Sequence, residues 1–386
     1  MTYEQIYALV NAASQQMWGQ AAIAVQDLTG LISLGNMVFS SASNHDGYLG
    51  VLIDRIGKTN FRTLDNRVQF PAFLRNEIEY GAIVQKVNID VIPAQSSEAY
   101  NIGDQNFTPN QFKIDKPRIS QLLFGDPRLV WEFDISIPDQ LFKSAFQSES
   151  QMGSFISGIM DAMDKSLVES INAMNHAALN SLIAEKIKAN HNVVNLFTEY
   201  NAIAATPAAD VDEFLRTPEA LRFASMTYDR YIKYLSQSSV LYNEGINQNP
   251  QLRATQRDNM HVLLSSDFAS AVKFNLYNDF NFDFVKLPLY DEYVSLQGSG
   301  NVAHNFKDDT SINIVPPSGG NAIVQSGIVG VMADRESIFT TWRDMFTATD
   351  RNNRNRYTNY TAGCGLSYGV DLSENAVVFI LDDTTP

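Results

Sequence analysis

Cys364 stands between Gly363 and Gly365, a setting in which a thiol on a tight turn could act as a nucleophile. Nucleophilic chemistry needs a base to activate the sulfur, and no histidine or acid lies at a recognisable spacing. The better reading is a small buried thiol in a strand. It is the chain's one cysteine, which excludes an internal disulfide and a multi-thiolate metal site and fits a reducing compartment. Five histidines, His45, His176, His191, His261 and His304, are scattered, and no HExxH or histidine–carboxylate spacing joins any two. The chain carries no Walker loop, no GxGxxG after a strand and no GxSxG elbow, and Gly319-Gly320 reads as a loop. No catalytic residue, cofactor-binding residue or metal ligand is therefore expected, and the chain is not read as an enzyme.

The densest basic run is Arg351, Arg354 and Arg356, set among asparagines and followed by Tyr357 and Tyr360. Arginine beside aromatic rings suits single-stranded nucleic acid and protein interfaces alike. The formal charge of −15 and pI near 4.7 weigh against a surface built to grip phosphates and favour a protein neighbour. A second basic concentration, Arg62, Arg67, Arg75, Lys113, Lys116, Arg118 and Arg128, opposes this acidic balance and suits a neighbour of the same kind. Lys86, Lys113 and Lys116 with the C-terminal asparagines supply residue types for an isopeptide bond, but type alone assigns no cross-link.

The elements that would carry these residues are unusually long. From Ser148 to about Ala189 the sequence predicts one unbroken helix, opened by a Ser148/Gln151 capping box. Met152, Phe155, Ile156, Ile159, Met163, Leu167, Ile171, Met174, Ala178 and Leu182 form its apolar stripe. Heptads are not sustained, so the helix is expected to be a beam with sheet on one side, burying Met163, Leu167 and Ile171. Thr2 and Gln5 open an N-terminal helix with Ile6, Leu9, Val10 and Met17 on one face, and Ser40 to Gly50 is expected to be loose. Glu77 to Asp90 and Leu129 to Ile137 read as the limbs of a long hairpin, with Pro93 to Asn110 as a polar tip anchored by Tyr100, Ile102 and Phe107. Asn190 to Thr217 is expected to be a loose connection, Pro218 to Gln237 a helix, His261 to Leu264 a strand and Asp267 to Leu276 a helix. Strands follow at Ile328 to Met332, Arg356 to Leu366 and Ala376 to Leu381, separated by Asp334 to Asp350.

The 386 residues, 45% of them apolar, suffice for large cores. Residues 1–20 show no secretory signal and no stretch is apolar enough for a membrane span. The sequons at Asn106 and Asn359 thus lack a glycosylation context.

The order of parts, an N-terminal arm, a long two-stranded loop, a spine helix, an α/β lobe and closing strands, resembles the major capsid proteins of tailed bacteriophages, the α+β Hong Kong-type shell fold. The stretches 51–57 (VLIDRIG), 114–118 (IDKPR), 141–146 (LFKSAF), 261–268 (HVLLSSDF) and 330–336 (GVMADRE) resemble above all the short-tailed, phi-twenty-nine-like branch. This resemblance implies an N-terminal arm over 1–57 and an extended loop with its return limb over 58–137. It implies a peripheral domain from 138–190, with the spine helix, together with 328–386, and an axial domain over 191–327. It further implies self-assembly through pentamers and hexamers into an icosahedral shell around double-stranded DNA that is contacted weakly. Portal, scaffolding and head-decoration proteins would be partners, with no membrane, in a virion assembled in the host bacterial cytoplasm. The scaffold-like N-terminal extension and immunoglobulin-like C-terminal domain of some relatives are not seen in the sequence. An encapsulin-like nanocompartment and an unrelated acidic enzyme are the alternative readings. Tyr100, Ile102, Phe107, Arg351, Arg354 and Arg356 are the expected intersubunit contacts.

Overall fold

The computed structural model describes residues 3–60, 68–74, 83–89, 119–125, 130–245, 250–276, 290–297, 304–352 and 354–383. The chain folds into two compact units: Met1–Tyr80 with Pro127–Asn175 and Thr340–Tyr368, and Gly81–Asp126 with His176–Phe339 and Gly369–Pro386.

In the first unit the expected N-terminal helix is α1 (Tyr3–Trp18), followed by α2 (Leu28–Val38) and α3 (Ala42–Asn60). The loose stretch expected over Ser40 to Gly50 is instead the start of α3. Ser41 caps it, its Oγ accepting the Asn44 N–H at 3.1 Å, and burial of Tyr48, Leu49, Leu52 and Ile53 outweighs the poor helix propensity of the polar residues before them. Strand β3 (Val130–Pro138) leads through α4 (Asp139–Ala145) into α5 (Glu149–Ala189), a single helix of 41 residues. At ~1.5 Å per residue it is about 60 Å long. The Gln151 N–H donates to Ser148 Oγ at 3.2 Å, as the capping box requires.

Strands β10 (Ile338–Asn352) and β11 (Tyr357–Val370) complete a sheet of order β10-β11-β3. The Leu129–Ile137 limb therefore does not pair with the Glu77–Asp90 limb. It pairs antiparallel with β11, Ile137 opposite Thr358 and Trp131 opposite Cys364. The separator expected at Asp334–Asp350 is mostly strand β10, because the β-formers Ile338, Phe339, Thr340 and Thr341 open it and β11 supplies its ladder.

Two cores follow along α5. Met152, Phe155, Ile156 and Ile159 pack with Ile6, Val10, Leu34, Leu52, Phe142 and Tyr360. Further along, Leu167, Ile171 and Met174 pack with Val68, Cys364 and Leu366, so the helix does carry sheet on one side. Leu167 and Ile171 are buried as expected, and the Met163 side chain lies outside the described residues. Gly35 lets α2 approach α4's end: a Cβ there would lie 2.9 Å from Phe146.

The second unit is built on a five-stranded sheet of order β4-β12-β9-β5-β6, from β4 (Val193–Asn195), β5 (Met260–Ser265), β6 (Asp291–Tyr293), β9 (Ile328–Asp334) and β12 (Ala376–Ile380). All residues of β9 and β12 are buried, which matches the apolar runs over 328–333 and 376–380. Helix α9 (Ser266–Leu276) precedes β6, which pairs parallel to β5, so the expected strand-helix alternation is present. Helix α8 (Pro218–Ser236) begins at the expected proline and lays Leu221, Tyr228 and Ile232 on the sheet, with the Tyr228 and Phe379 rings 4.4 Å apart.

The connection expected to be loose over Asn190–Thr217 contains β4, α6 (Leu196–Ile203) and α7 (Val211–Arg216). Asn195 and Asp210 cap the two helices, and both are short enough to escape a periodicity search. The unit also holds α10 (Phe306–Asp309), the pair β7 (Ile312–Ile314) and β8 (Ile323–Gln325), and an antiparallel ribbon of β1 (Ile83–Ile89) and β2 (Ile119–Gly125). The partner of the Glu77–Asp90 limb is thus Ile119–Gly125. The expected tip, Pro93 to Asn110, lies outside the described residues.

Candidate interaction surface

The residues whose types suggest chemistry are engaged in packing or in ion pairs. Cys364 is buried in β11 among Leu167, Ile171 and Leu366, and burial pushes its thiol up to about 11, so little thiolate exists at neutral pH. Burial likewise holds His176 and His261 below the usual histidine range. His304 meets Asp309 at 3.0 Å, and His191 Nδ1 lies 2.9 Å from Asn192 Nδ2. Among the described residues no three histidine, cysteine or acidic side chains come together as a metal site. The Pro316–Gly320 loop is a turn gripped by α5: Glu185 accepts from the Ser318 N–H at 2.6 Å and its hydroxyl at 2.7 Å, while Lys188 donates to Gly319 O at 2.7 Å.

The three arginines part company. Arg351, near the end of β10, donates to Asp46 of α3 at 3.2 Å and to Asp139 of α4 at 3.1 Å. Its guanidinium also lies 3.4 Å from His45 Nδ1, and the buried His45 ring packs against Phe39 and Phe142. Arg351 therefore clamps three elements of its own unit. Arg354 and Arg356 are exposed in the β10–β11 turn, where Asn352 Oδ1 accepts the N–H groups of Arg354 and Asn355, both at 3.1 Å. Arg356 adopts φ +52, a left-handed conformation that tight connections impose. Tyr357 is half-buried, whereas Tyr360 is a core residue and offers no ring to a partner.

The hairpin-tip residues Tyr100, Ile102 and Phe107, and the basic residues Arg62, Arg67, Arg75, Lys113, Lys116, Arg118 and Arg128, lie outside the described residues. The β1–β2 ribbon shows something the sequence reading did not single out. Val87, Ile89 and Ile119 are 55%, 60% and 64% exposed, and the register sets Ile89 opposite Ile119, so the three side chains share one face. The alternation Lys86-Val87-Asn88-Ile89 was the available signal, since period-two spacing puts Val87 and Ile89 on one face and Lys86 on the other.

A large helix-and-sheet subunit with an exposed two-stranded ribbon and no assembled reactive centre among the described residues has solved counterparts. The fold is similar to a chain in the capsid structure of Staphylococcus phage Andhra, with TM-score 0.51 at 11% identity over 82% of this chain and 85% of that one. It is equally similar to a chain from a structure of the head fibre and inner core protein gp22 of native bacteriophage P68, with TM-score 0.51 at 13% identity and the same coverages. These likenesses define the Hong Kong-type phage capsid fold. At the level of sequence, residues 6–380 match the family described as Phi29-like phage major capsid protein. The chain belongs to that family and is a major capsid protein, a component of the virion that forms its shell by association of subunits. No curated protein matches it in sequence.

Proposed function

We propose that the subunit assembles through pentamers and hexamers into an icosahedral head around packaged double-stranded DNA, and that it does so without catalysis. The observation that carries this reading is the outward apolar face of Val87, Ile89 and Ile119 on a two-stranded ribbon, a surface that a solitary soluble chain would not keep but that a neighbour covers. Residues 58–137 are the extended loop on this reading, and Tyr100, Ile102 and Phe107 are its anchors. Residues 1–57 serve as the N-terminal arm, 138–190 with 328–386 as the peripheral domain, and 191–327 as the axial domain. Arg354 and Arg356 contact another subunit, and the charge of −15 fits DNA held by confinement rather than by tight phosphate contacts. Portal, scaffolding and decoration proteins join the shell during assembly in the bacterial cytoplasm.

Electron microscopy and gel filtration of the purified protein, expressed with and without a scaffolding protein, test the reading. Pentamers, hexamers or closed shells are expected from the wild type, and only small soluble species from Ile89→Asp. Shells of normal size and salt resistance from Ile89→Asp would overturn the role of the ribbon face. An Arg354→Ala/Arg356→Ala variant that builds shells but loses DNA would assign those residues to DNA instead.

A further inference from the structure

The other face of the β1–β2 ribbon carries Lys86, directed into the body of its unit. The Lys86 ammonium is bonded to both Asp371 and Glu374, whose side chains are 2% and 7% exposed against 22% for the lysine. The two acids belong to the short connection between β11 and β12, and that connection is held rigidly. The Asp371 N–H donates to Ser337 O at 2.8 Å, the Asp334 N–H to Asn375 O at 2.8 Å, and the Glu244 N–H to Leu372 O at 3.0 Å. Asp371 is itself oriented, because its Oδ1 accepts the Ser373 N–H at 2.9 Å and the Ser373 hydroxyl at 2.6 Å, which leaves Oδ2 for the lysine.

Around the pair stand Arg253, 3.4 Å from Glu374, and Asp334, which accepts from the Thr255 hydroxyl at 2.7 Å. Among the described residues, Lys86 is the side chain that ties the ribbon to this fixed frame. The frame is hydrogen-bonded and charged; among the described residues the ribbon meets it through the Lys86 ammonium.

We propose that Lys86 is an electrostatic latch that fixes the root of the ribbon, with Asp371 and Glu374 as its keeper, and that proton uptake by Glu374 releases it. Two buried carboxylates share one cation and lie near a third acid, Asp334, with Arg253 as the remaining counter-charge. Withdrawing Lys86 leaves an excess of buried negative charge, which a proton relieves.

The sign follows from the groups facing Glu374. Burial raises its carboxyl above the usual range, Lys86 and then Arg253 pull it down, and Asp334 pushes it up. An open ribbon removes the Lys86 contribution, so Glu374 binds a proton more tightly open than closed. The closed state is therefore favoured at neutral pH and is lost as pH falls through the range in which Glu374 protonates, which begins above that of an ordinary glutamate.

The test uses spin labels at Gln121→Cys on β2 and Glu219→Cys on α8, both exposed, with doubly labelled protein diluted into unlabelled chain. One narrow distance at about pH 7.5 and a broadened or shifted distribution at about pH 5 are expected, because Glu374 takes up a proton more readily than an ordinary glutamate. Lys86→Met should be broad at both, Lys86→Arg narrow at the higher pH, and Glu374→Gln should lose most of the pH response. A narrow distribution in Lys86→Met at the higher pH, or an unchanged distance in the wild type across the two, would overturn the proposal. If Lys86→Met does not fold, the wild-type pH comparison decides alone. These readouts concern one subunit, so they stand or fall independently of shell formation.

Discussion

Replacing Arg351 separates its role inside the subunit from any role between subunits. Its two ion pairs, at 3.2 and 3.1 Å, join α3, α4 and β10, with about a fifth of the Arg351 and Asp139 side chains and a third of Asp46 exposed. At an effective dielectric of about 20 each contact is worth roughly 5 kcal/mol in gross Coulomb energy. Desolvation and side-chain ordering offset most of this. A fully buried pair would cost about 3–5 kcal/mol when broken, and the partial exposure here brings Arg351→Ala to about 2–3 kcal/mol. That corresponds to a fall of roughly 4–12 °C in the melting temperature of a large domain. Arg351→Lys should recover only part, because an ammonium cannot fork between Asp46 and Asp139 as a guanidinium does. Arg354→Ala and Arg356→Ala, at exposed turn positions, should melt within about 0.5 kcal/mol of the wild type. Thermal unfolding of unassembled subunits followed by circular dichroism makes the comparison. An Arg351→Ala subunit that melts with the wild type would refute the clamp.

Leu167→Ala should cost about 2–5 kcal/mol, and Leu167→Asp should abolish soluble subunits by placing a charge beside Ile171, Met174 and Leu366; wild-type yield of the latter would contradict the packing. Gly330→Val should be poorly soluble, since even a Cβ would collide with the Tyr228 hydroxyl and lie 2.9 Å from Leu264; a normal melt would show that α8 can shift. Cys364 should resist alkylation in native protein at neutral pH and react at once in denaturant, as mass spectrometry would report. Lys186 is buried beside Glu244 at 3.2 Å, and burial holds its amine below 10.5, so the folded chain binds fewer protons than the unfolded one there. Wild-type stability relative to Lys186→Met should therefore rise as pH increases from neutral toward the ordinary lysine range, and denaturant melts showing a fall would contradict the assignment.

The long elements were legible because periodicity and end signals agreed. Ser148 and Pro218 mark the starts of α5 and α8, and the stripes from Met152 and Leu221 run without a break. The start of α3 was not legible, since Ser41 to Gly47 has the composition of a turn. Its helix depends on burial of Tyr48 and Leu49 against residues far away in sequence. Strand partners were hidden for a related reason: alternation identifies β3 as a strand, but nothing local says that its neighbour is β11 rather than β1. Arg351 illustrates the limit for a site. Its asparagine-rich surroundings resemble an exposed basic run, while its two acids come from elements more than 200 residues earlier.

Charge and apolar surface are distributed in a way that follows from what the chain does. Of the three clustered arginines, the one beside acids from other elements is used to hold the unit together, and the two at the turn are left exposed. The ribbon makes the same division across its two faces, Lys86 meeting buried acids and Val87 and Ile89 meeting solvent. An enzyme concentrates unsatisfied polar groups in a cleft, where they wait for substrate. A shell protein gains more by leaving hydrophobic and cationic groups on exposed strands and turns, where burial against a neighbour stabilises the assembly. The exposed Val87, Ile89 and Ile119 and the turn residues Arg354 and Arg356 follow that second pattern.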